Sequence, residues 1–226
     1  MKKPSSKSVQ IRKDKLAERL RRYELDNLVS DTESFDHTRY NYIDPTKAAE
    51  RVLILLAVSF TAYNFAESEK VMNWLKTEEL WQSVSDKEKE FFRDPDPSGE
   101  EKQVLSWRFE GAYVLAWCLQ KIEFAPKPEA ECGDQQVTEF FDQVPAIGTN
   151  TDEFFANLRY RSSSEIVDET LFYQVAEKYF RDLVKEDKEN TSSVHAKACV
   201  ERFRALRWLT SDNPDWDLTG AGKDDT

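Results

Sequence analysis

The chain has 226 residues, 39% of them hydrophobic, and a formal net charge of −11. That length and content exclude a disordered chain and allow one domain with a core large enough to need no staples. Six glycines and eight prolines offer few tight turns, so an all-α fold is expected over a multi-stranded sandwich.

The charge is uneven along the chain. Residues 2–22 carry nine bases (Lys2, Lys3, Lys7, Arg12, Lys13, Lys15, Arg19, Arg21, Arg22) against Asp14 and Glu18, which is +7 and leaves −18 on the rest. So acidic a body disfavours broad nucleic-acid binding there. The basic start has no apolar run after it, unlike a secretory signal. Residues 1–6 are expected to be disordered, followed by a helix over about Val9–Leu25 with Leu16, Leu20 and Tyr23 on one face. Such an arm suits phosphates or anionic lipid. The favoured reading is plainer: it docks its apolar side on the acidic body, which neutralises it. Residues 26–43 read as a polar linker containing His37. The expected division is therefore 1–43 as basic helix and linker, and 44–226 as the helical domain.

Asp44-Pro45 reads as an N-cap followed by proline at the first helical position. The helix it opens should run to about Glu67. Ala49, Val52, Leu53, Leu56, Phe60 and Tyr63 form one stripe, and Ile54, Leu55 and Val58 cover another face, so its middle is deeply buried. Its apolar run, Val52 to Phe60 with Ser59 inside it, falls well short of the roughly 20 residues that cross a bilayer. Short helices follow near Lys70–Leu75 and through Trp81. Ser85 with Glu88 is a capping box opening a helix to about Arg93, and the prolines and glycine of 94–99 break the chain.

Residues 104–122 should form one central helix. From Ala112 to Leu119 there is no charge, so no polar face is left for solvent. A loop over 124–133 follows. Asp134 can cap a helix to about Val144, with Val137, Phe140 and Phe141 inward. Thr151 with Phe154, Phe155 and Leu158 makes a short helical piece. Ser162 with Glu165 is a second capping box, opening a long helix to about Lys185 striped by Phe172, Ala176, Tyr179 and Leu183. The last helix spans about Ser193–Thr210, with Cys199, Phe203, Leu206 and Leu209 inward. The expected fold is thus a single-domain helical bundle of about 7–9 helices around the central one. In the tail, 211–226, Trp216 should pack back near Trp208 and Asp217 should meet an arginine.

Motifs for chemistry are scarce. With His37 and His195 as the only histidines, a His-rich metal site is excluded, and neither paired Glu-x-x-His nor H-E-x-x-H occurs. Glu165 and Asp168, three residues apart on one helical face, are the one carboxylate pair singled out for a shared cation. Their plainer role is as capping-box and helix-dipole charges. No metal or cofactor is expected. His195 is not tied by sequence to Cys118 or a serine, and G-x-S-x-G is absent. Cys118, Cys132 and Cys199 are odd in number and lack a C-x-x-C spacing, which suits reduced thiols in a cytoplasmic protein.

What stands out are charges set in aromatic helix segments: Arg108 and Glu110 beside Trp107, Arg159 and Arg161 beside Tyr160, Glu201 and Arg202 beside Phe203, and Arg204 and Arg207 beside Trp208. Such charges are either paired in the core or line a pocket, because an unpaired buried charge costs several kcal/mol.

On these residues the chain resembles an uncharacterised, mainly bacterial family catalogued as domain of unknown function 4272. The resemblance runs in order over roughly residues 47–226. It rests on Ala48-Ala-Glu-Arg51, Ser85-Asp-Lys-Glu88, Trp107-Arg108-Phe-Glu110 through Ala116-Trp117, Leu158-Arg159, and Glu165-Ile166. Further on it rests on Tyr173 with Ala176, Glu201-Arg202 with Ala205-Leu206 and Trp208-Leu209, Trp216-Asp217, and Asp225-Thr226. Where the family has Ala-Leu-Gly after the tryptophan, this chain has Cys118-Leu119-Gln120. Gln174, Val175 and Arg207 also replace its usual arginine, tryptophan and asparagine. The resemblance implies no activity.

The leading expectation is a non-catalytic cytoplasmic protein that acts by binding another protein. One alternative is a ligand-binding or enzymatic cleft lined by Arg108, Glu110, Arg159, Glu165, Asp168, Glu201, Arg202 and Asp217. In it arginines would grip a phosphate or carboxylate, and a glutamate would move a proton. The other is binding of an anionic surface or nucleic acid through residues 2–22.

Overall fold

The computed structural model describes residues 6–25, 40–213 and 215–219. Residues 1–5, most of the linker with His37, and the end of the tail with Asp225 and Thr226 lie outside the described residues. In chain order the helices are α1 (Ser6–Arg21), α2 (Pro45–Tyr63), α3 (Ser68–Thr77), α4 (Asp86–Arg93), α5 (Gly99–Ser106), α6 (Arg108–Cys118), α7 (Asp134–Gln143), α8 (Asp152–Phe155), α9 (Ser163–Lys185) and α10 (Ala196–Leu209). Tight 3-10 turns occupy Phe65–Glu67 and Leu80–Ser83. No strand occurs among the described residues; the fold is a single all-α domain. None of its described helices is long and apolar enough to cross a membrane.

Local chemistry starts these helices. Asp44 Oδ1 accepts from Thr46 N–H at 2.8 Å, and Pro45 sits where its missing N–H is not needed. Ser85 with Glu88 and Ser162 with Glu165 both close capping boxes. Ser98 caps α5 through Glu101 N–H.

Two helices, not one, carry the core. α2 is buried from Val52 through Ser59, and α6 from Glu110 through Cys118. α6 packs on both α2 and α10, and α10 on α9. Gly111 makes that approach close: a Cβ there would meet Leu55 Cδ1 at 3.2 Å and Ala205 Cβ at 3.4 Å. α1 lies on α9, burying Leu16, Leu20 and Leu25.

Several boundaries differ from the sequence reading, each for a local reason. The single helix over 104–122 is two. Trp107 N–H bonds back only three residues to Val104 O, the Ser106 carbonyl is taken by the Ser59 hydroxyl at 2.7 Å, and α6 starts afresh at Arg108. Val104 is consequently 51% exposed. α6 ends in a left-handed turn at Gln120 (φ 60°), with Lys121 N–H returning to Ala116 O. α2 stops at Tyr63 rather than Glu67, because Asn64 leaves helical geometry (φ −128°, ψ 60°); Tyr63 is exposed instead of completing the stripe. Gly133, not Asp134, occupies the cap position of α7, and Phe141 faces solvent. α10 starts at Ala196 with His195 as its cap: His195 Nδ1 accepts from Ala198 N–H at 3.3 Å. Phe203 is only half-buried.

Candidate functional site

Arg202 is completely buried, at 0% exposure, and every N–H of its guanidinium has a partner. Nε and Nη2 donate to Glu110 Oε2 at 2.9 and 2.6 Å. Nη1 donates to Lys127 O at 2.7 Å and to the Tyr173 hydroxyl at 3.1 Å, and Nη2 also reaches Ala130 O at 2.9 Å. Glu110 accepts in addition from Cys132 N–H at 2.7 Å and from the Cys132 thiol at 3.3 Å. The Tyr173 hydroxyl donates onward to Pro126 O at 3.3 Å, and His195 N–H to Pro128 O at 2.9 Å. The loop between α6 and α7 thus has its inward carbonyls taken up by α9 and α10, as buried backbone requires. Burial pushes the Cys132 and Tyr173 pKa values up, with Glu110 adding to the first. Neither group is set up as an anionic nucleophile.

A second group of charges lies around the tail. Arg108 and Glu201, both nearly buried, form an ion pair through Arg108 Nη1. Arg51 Nη1 pairs with Glu88 at 2.8 Å, and its Nη2 donates to Ser83 O at 2.8 Å. Trp216 packs edge-on to Trp208, ring centroids 6.0 Å apart. The Arg51 and Arg204 guanidiniums stack on the Trp216 ring at 5.0 and 4.6 Å. Asp217 does not meet an arginine within hydrogen-bonding reach; it accepts from Lys87 N–H at 3.1 Å, at the start of α4. Burial and then the neighbouring Arg108 push the Arg204 pKa down to about 10.

The remaining residues named from sequence are elsewhere. Arg159 is exposed on the loop after α8 and joins neither network. Its neighbour Arg161 has the defined role: Nε donates to Trp117 O at 2.7 Å, and Nη2 to Ile122 O at 2.5 Å and Glu123 O at 2.8 Å, closing the C-terminal end of α6. Glu165 and Asp168 do not share a site. Glu165 stays in its capping box, where the Ser162 hydroxyl holds its pKa low. Asp168 accepts from Arg12 Nε at 2.6 Å and the buried Glu169 from Arg19 at 2.5 and 2.8 Å, and both pairs hold α1 to α9. Among the described residues no group of three or more His, Cys, Asp or Glu is placed to hold a metal ion.

One concavity lies where the sequence gives no pointer: an open groove of about 660 Å³ lined by α5, α9 and α10. Of the charges named above, only Glu201 and Arg207 reach it. Its apolar lining includes Val104, Trp107, Phe180, Val184 and Val200. Trp107 lies beside the His195 ring at 5.2 Å, with Lys197 Nζ over its face at 5.6 Å. Glu177 lies in the lining too, its pKa raised by burial although Arg181 and Arg207 oppose this. Exposed helical valines would have been the sequence signal, but exposure is settled by packing and not by periodicity alone.

The family described as "Domain of unknown function (DUF4272)" matches residues 12–219. No curated protein and no solved structure matches the chain.

Proposed function

The chain belongs to that family, and from its own geometry we propose that it is a non-catalytic cytoplasmic protein that acts by binding another protein. The observation that carries this reading is the closure of the Arg202 network. All five guanidinium N–H groups and the Glu110 carboxylate are engaged inside the fold. A general acid or base must come within hydrogen-bond reach of its substrate, and an anion grip needs free donors. The Arg202 guanidinium has no free donor, and Glu110, which borders a small cavity with Cys132, already accepts from Arg202 and Cys132. The basic α1 is occupied in a similar way, with Arg12 and Arg19 turned onto α9, which weighs against the anionic-surface reading.

Full-length chain, purified and used as bait in a lysate of its own source, tests this. The expected result is a protein partner that re-forms a stoichiometric complex when both components are purified. Recovery of no such protein, together with a small molecule from the extract that raises the melting temperature and is chemically converted, would overturn the proposal.

A further inference from the structure

We propose that the groove between α5, α9 and α10 receives an acidic amphipathic helix of the partner protein, apolar side down. This rests on the protein-binding reading above and names its surface and the chemistry of its partner.

The first support is where the exposed apolar side chains fall. Of the eight large apolar side chains exposed among the described residues, three, Val104, Val184 and Val200, at 51%, 83% and 40%, line this one groove. Isolated exposed apolar residues are ordinary; a cluster around a concavity marks an interaction surface. Valine is also a poor choice for an exposed helical position, because its branched side chain loses rotamer freedom there. At Val184, 83% exposed, it contributes neither helix propensity nor burial within this chain. Trp107 and Phe180 beneath give the groove an aromatic floor.

The second support is charge. The whole chain is at −11, yet the groove is rimmed by Arg181, Lys185, Lys197 and Arg207. Its two carboxylates are outnumbered: Glu201 pairs with Arg108, which is outside the lining, and Glu177 lies 3.7 Å from Arg181, which leaves Lys185, Lys197 and Arg207 in excess. The rim therefore presents net positive charge on an acidic protein, which selects an acidic partner and repels a basic one.

The third is shape. The face that α9 turns to the groove carries Glu177, Phe180, Arg181, Val184 and Lys185, the i, i+3, i+4, i+7, i+8 positions of two helical turns, about 12 Å long at 1.5 Å per residue. Such a stripe bordering an apolar trough suits a helix read through i, i+3, i+4 and i+7 anchors. A small amphiphile fits less well, since small-molecule sites bury most of their ligand and this groove is open to solvent.

The test uses the full chain and a fluorescein-labelled, lactam-bridged helical peptide with leucine at i, i+3, i+4 and i+7 and glutamate at the flanking positions. Fluorescence anisotropy should show saturable binding that weakens with added salt. Binding should fall by about tenfold or more in Val184→Glu and in Arg181→Glu, both surface changes. Phe124→Glu, exposed and outside the groove, should bind as the parent does. The same peptide with lysine in place of glutamate should not bind. The proposal is overturned if the acidic peptide does not bind, if the lysine peptide binds equally, or if Val184→Glu leaves binding unchanged. It is also overturned if the parent chain dimerises in solution and Val184→Glu abolishes the dimer, since the groove's occupant would then be a second copy. The two readings fail separately. A purified partner that binds Val184→Glu as tightly as the parent removes the groove assignment and leaves the protein-binding reading standing.

Discussion

Arg202 and Arg204 are two residues apart on α10 and point to different sides of it, into surroundings that treat a guanidinium in opposite ways. Around Arg202, burial alone would lower the pKa. Tyr173 and Glu110 outweigh it, and the pKa rises. Around Arg204, burial and Arg108 together prevail over Glu201, Glu88 and Asp217, and the pKa falls to about 10. The inventory of acceptors explains the contrast. Arg202 meets a carboxylate, a hydroxyl and two loop carbonyls. Arg204 is left with Trp216 O at 3.3 Å and the face of an indole. On its side of the helix the Nε atoms of Arg51, Arg108 and Arg204 have no partner among the described residues. Burial itself does not decide whether a charge stabilises; the acceptors within reach do.

The largest expected effect breaks the better-satisfied side. Arg202→Met leaves Glu110 buried without its cation and strips the donors from Lys127 O and Ala130 O. Removing one partner of a buried pair costs about 3–5 kcal/mol, so denaturant unfolding should show a loss of that size. Amide exchange over residues 126–132 should accelerate as well. A loss below about 1 kcal/mol would mean that the network contributes little beyond its own desolvation.

On the other side Trp216 is the anchor. Trp216→Ala removes a buried indole, its contact with Trp208 and the surface on which two guanidiniums stack. Losses for buried tryptophan run to about 3–5 kcal/mol, and a peripheral tail places this one near 3. For a chain of this length that lowers the melting temperature by roughly 6–12 °C. An unchanged melting curve would show the tail to be independent of the helices.

The two sides were not equally legible in the sequence. Helix positions were, because caps and apolar spacing are local, as Asp44-Pro45 and the two capping boxes illustrate. The embedded charges Arg108, Glu110, Glu201 and Arg202 were also visible as anomalies in apolar helices. Their pairing was not. Successive helical residues turn by about 100°, so adjacent Glu201 and Arg202 take different partners, and only the packing of α6 on α10 assigns Arg108 to one and Glu110 to the other. Arg51 is not distinguished by sequence, because a single arginine in the wide apolar face of α2 looks like a boundary residue until Glu88 arrives from α4. Arg161, rather than Arg159, closes α6, since the choice rests on where the loop after α8 crosses that helix. The break at Trp107 was hidden because no proline or glycine stands between Val104 and Glu110 to mark it.

A smaller, stabilising change probes the end of α6. Gln120 holds the left-handed conformation at φ 60°, the region that favours glycine. An ordinary side chain there costs on the order of 1 kcal/mol relative to glycine. Gln120→Gly should therefore raise stability by up to about 1 kcal/mol, less the bond from Gln120 Nε2 to Tyr160 O. A destabilised variant would show that this side-chain bond outweighs the backbone strain.

The smallest expected change is the most informative about the contrast on α10. Arg204→Met removes a stacking partner of Trp216 and one long hydrogen bond, together about 1–2 kcal/mol of favourable interaction. It also removes a buried cation held next to Arg108 and an Nε with no acceptor, a penalty of similar size and opposite sign. Methionine keeps most of the aliphatic packing along the indole. The two contributions should nearly cancel, leaving stability within about 1 kcal/mol of the parent, in contrast to the same substitution at Arg202. The sign follows from linkage. A folded-state pKa below the unfolded one means that the folded chain releases this proton first, so Arg204 opposes folding below pH 10 and the opposition fades above it. The gain from Arg204→Met, if the desolvation side wins, should therefore be present at neutral pH and shrink toward alkaline pH. A loss as large as that at Arg202 would mean that stacking on Trp216 outweighs the desolvation of Arg204 and would erase the difference between the two sides of α10.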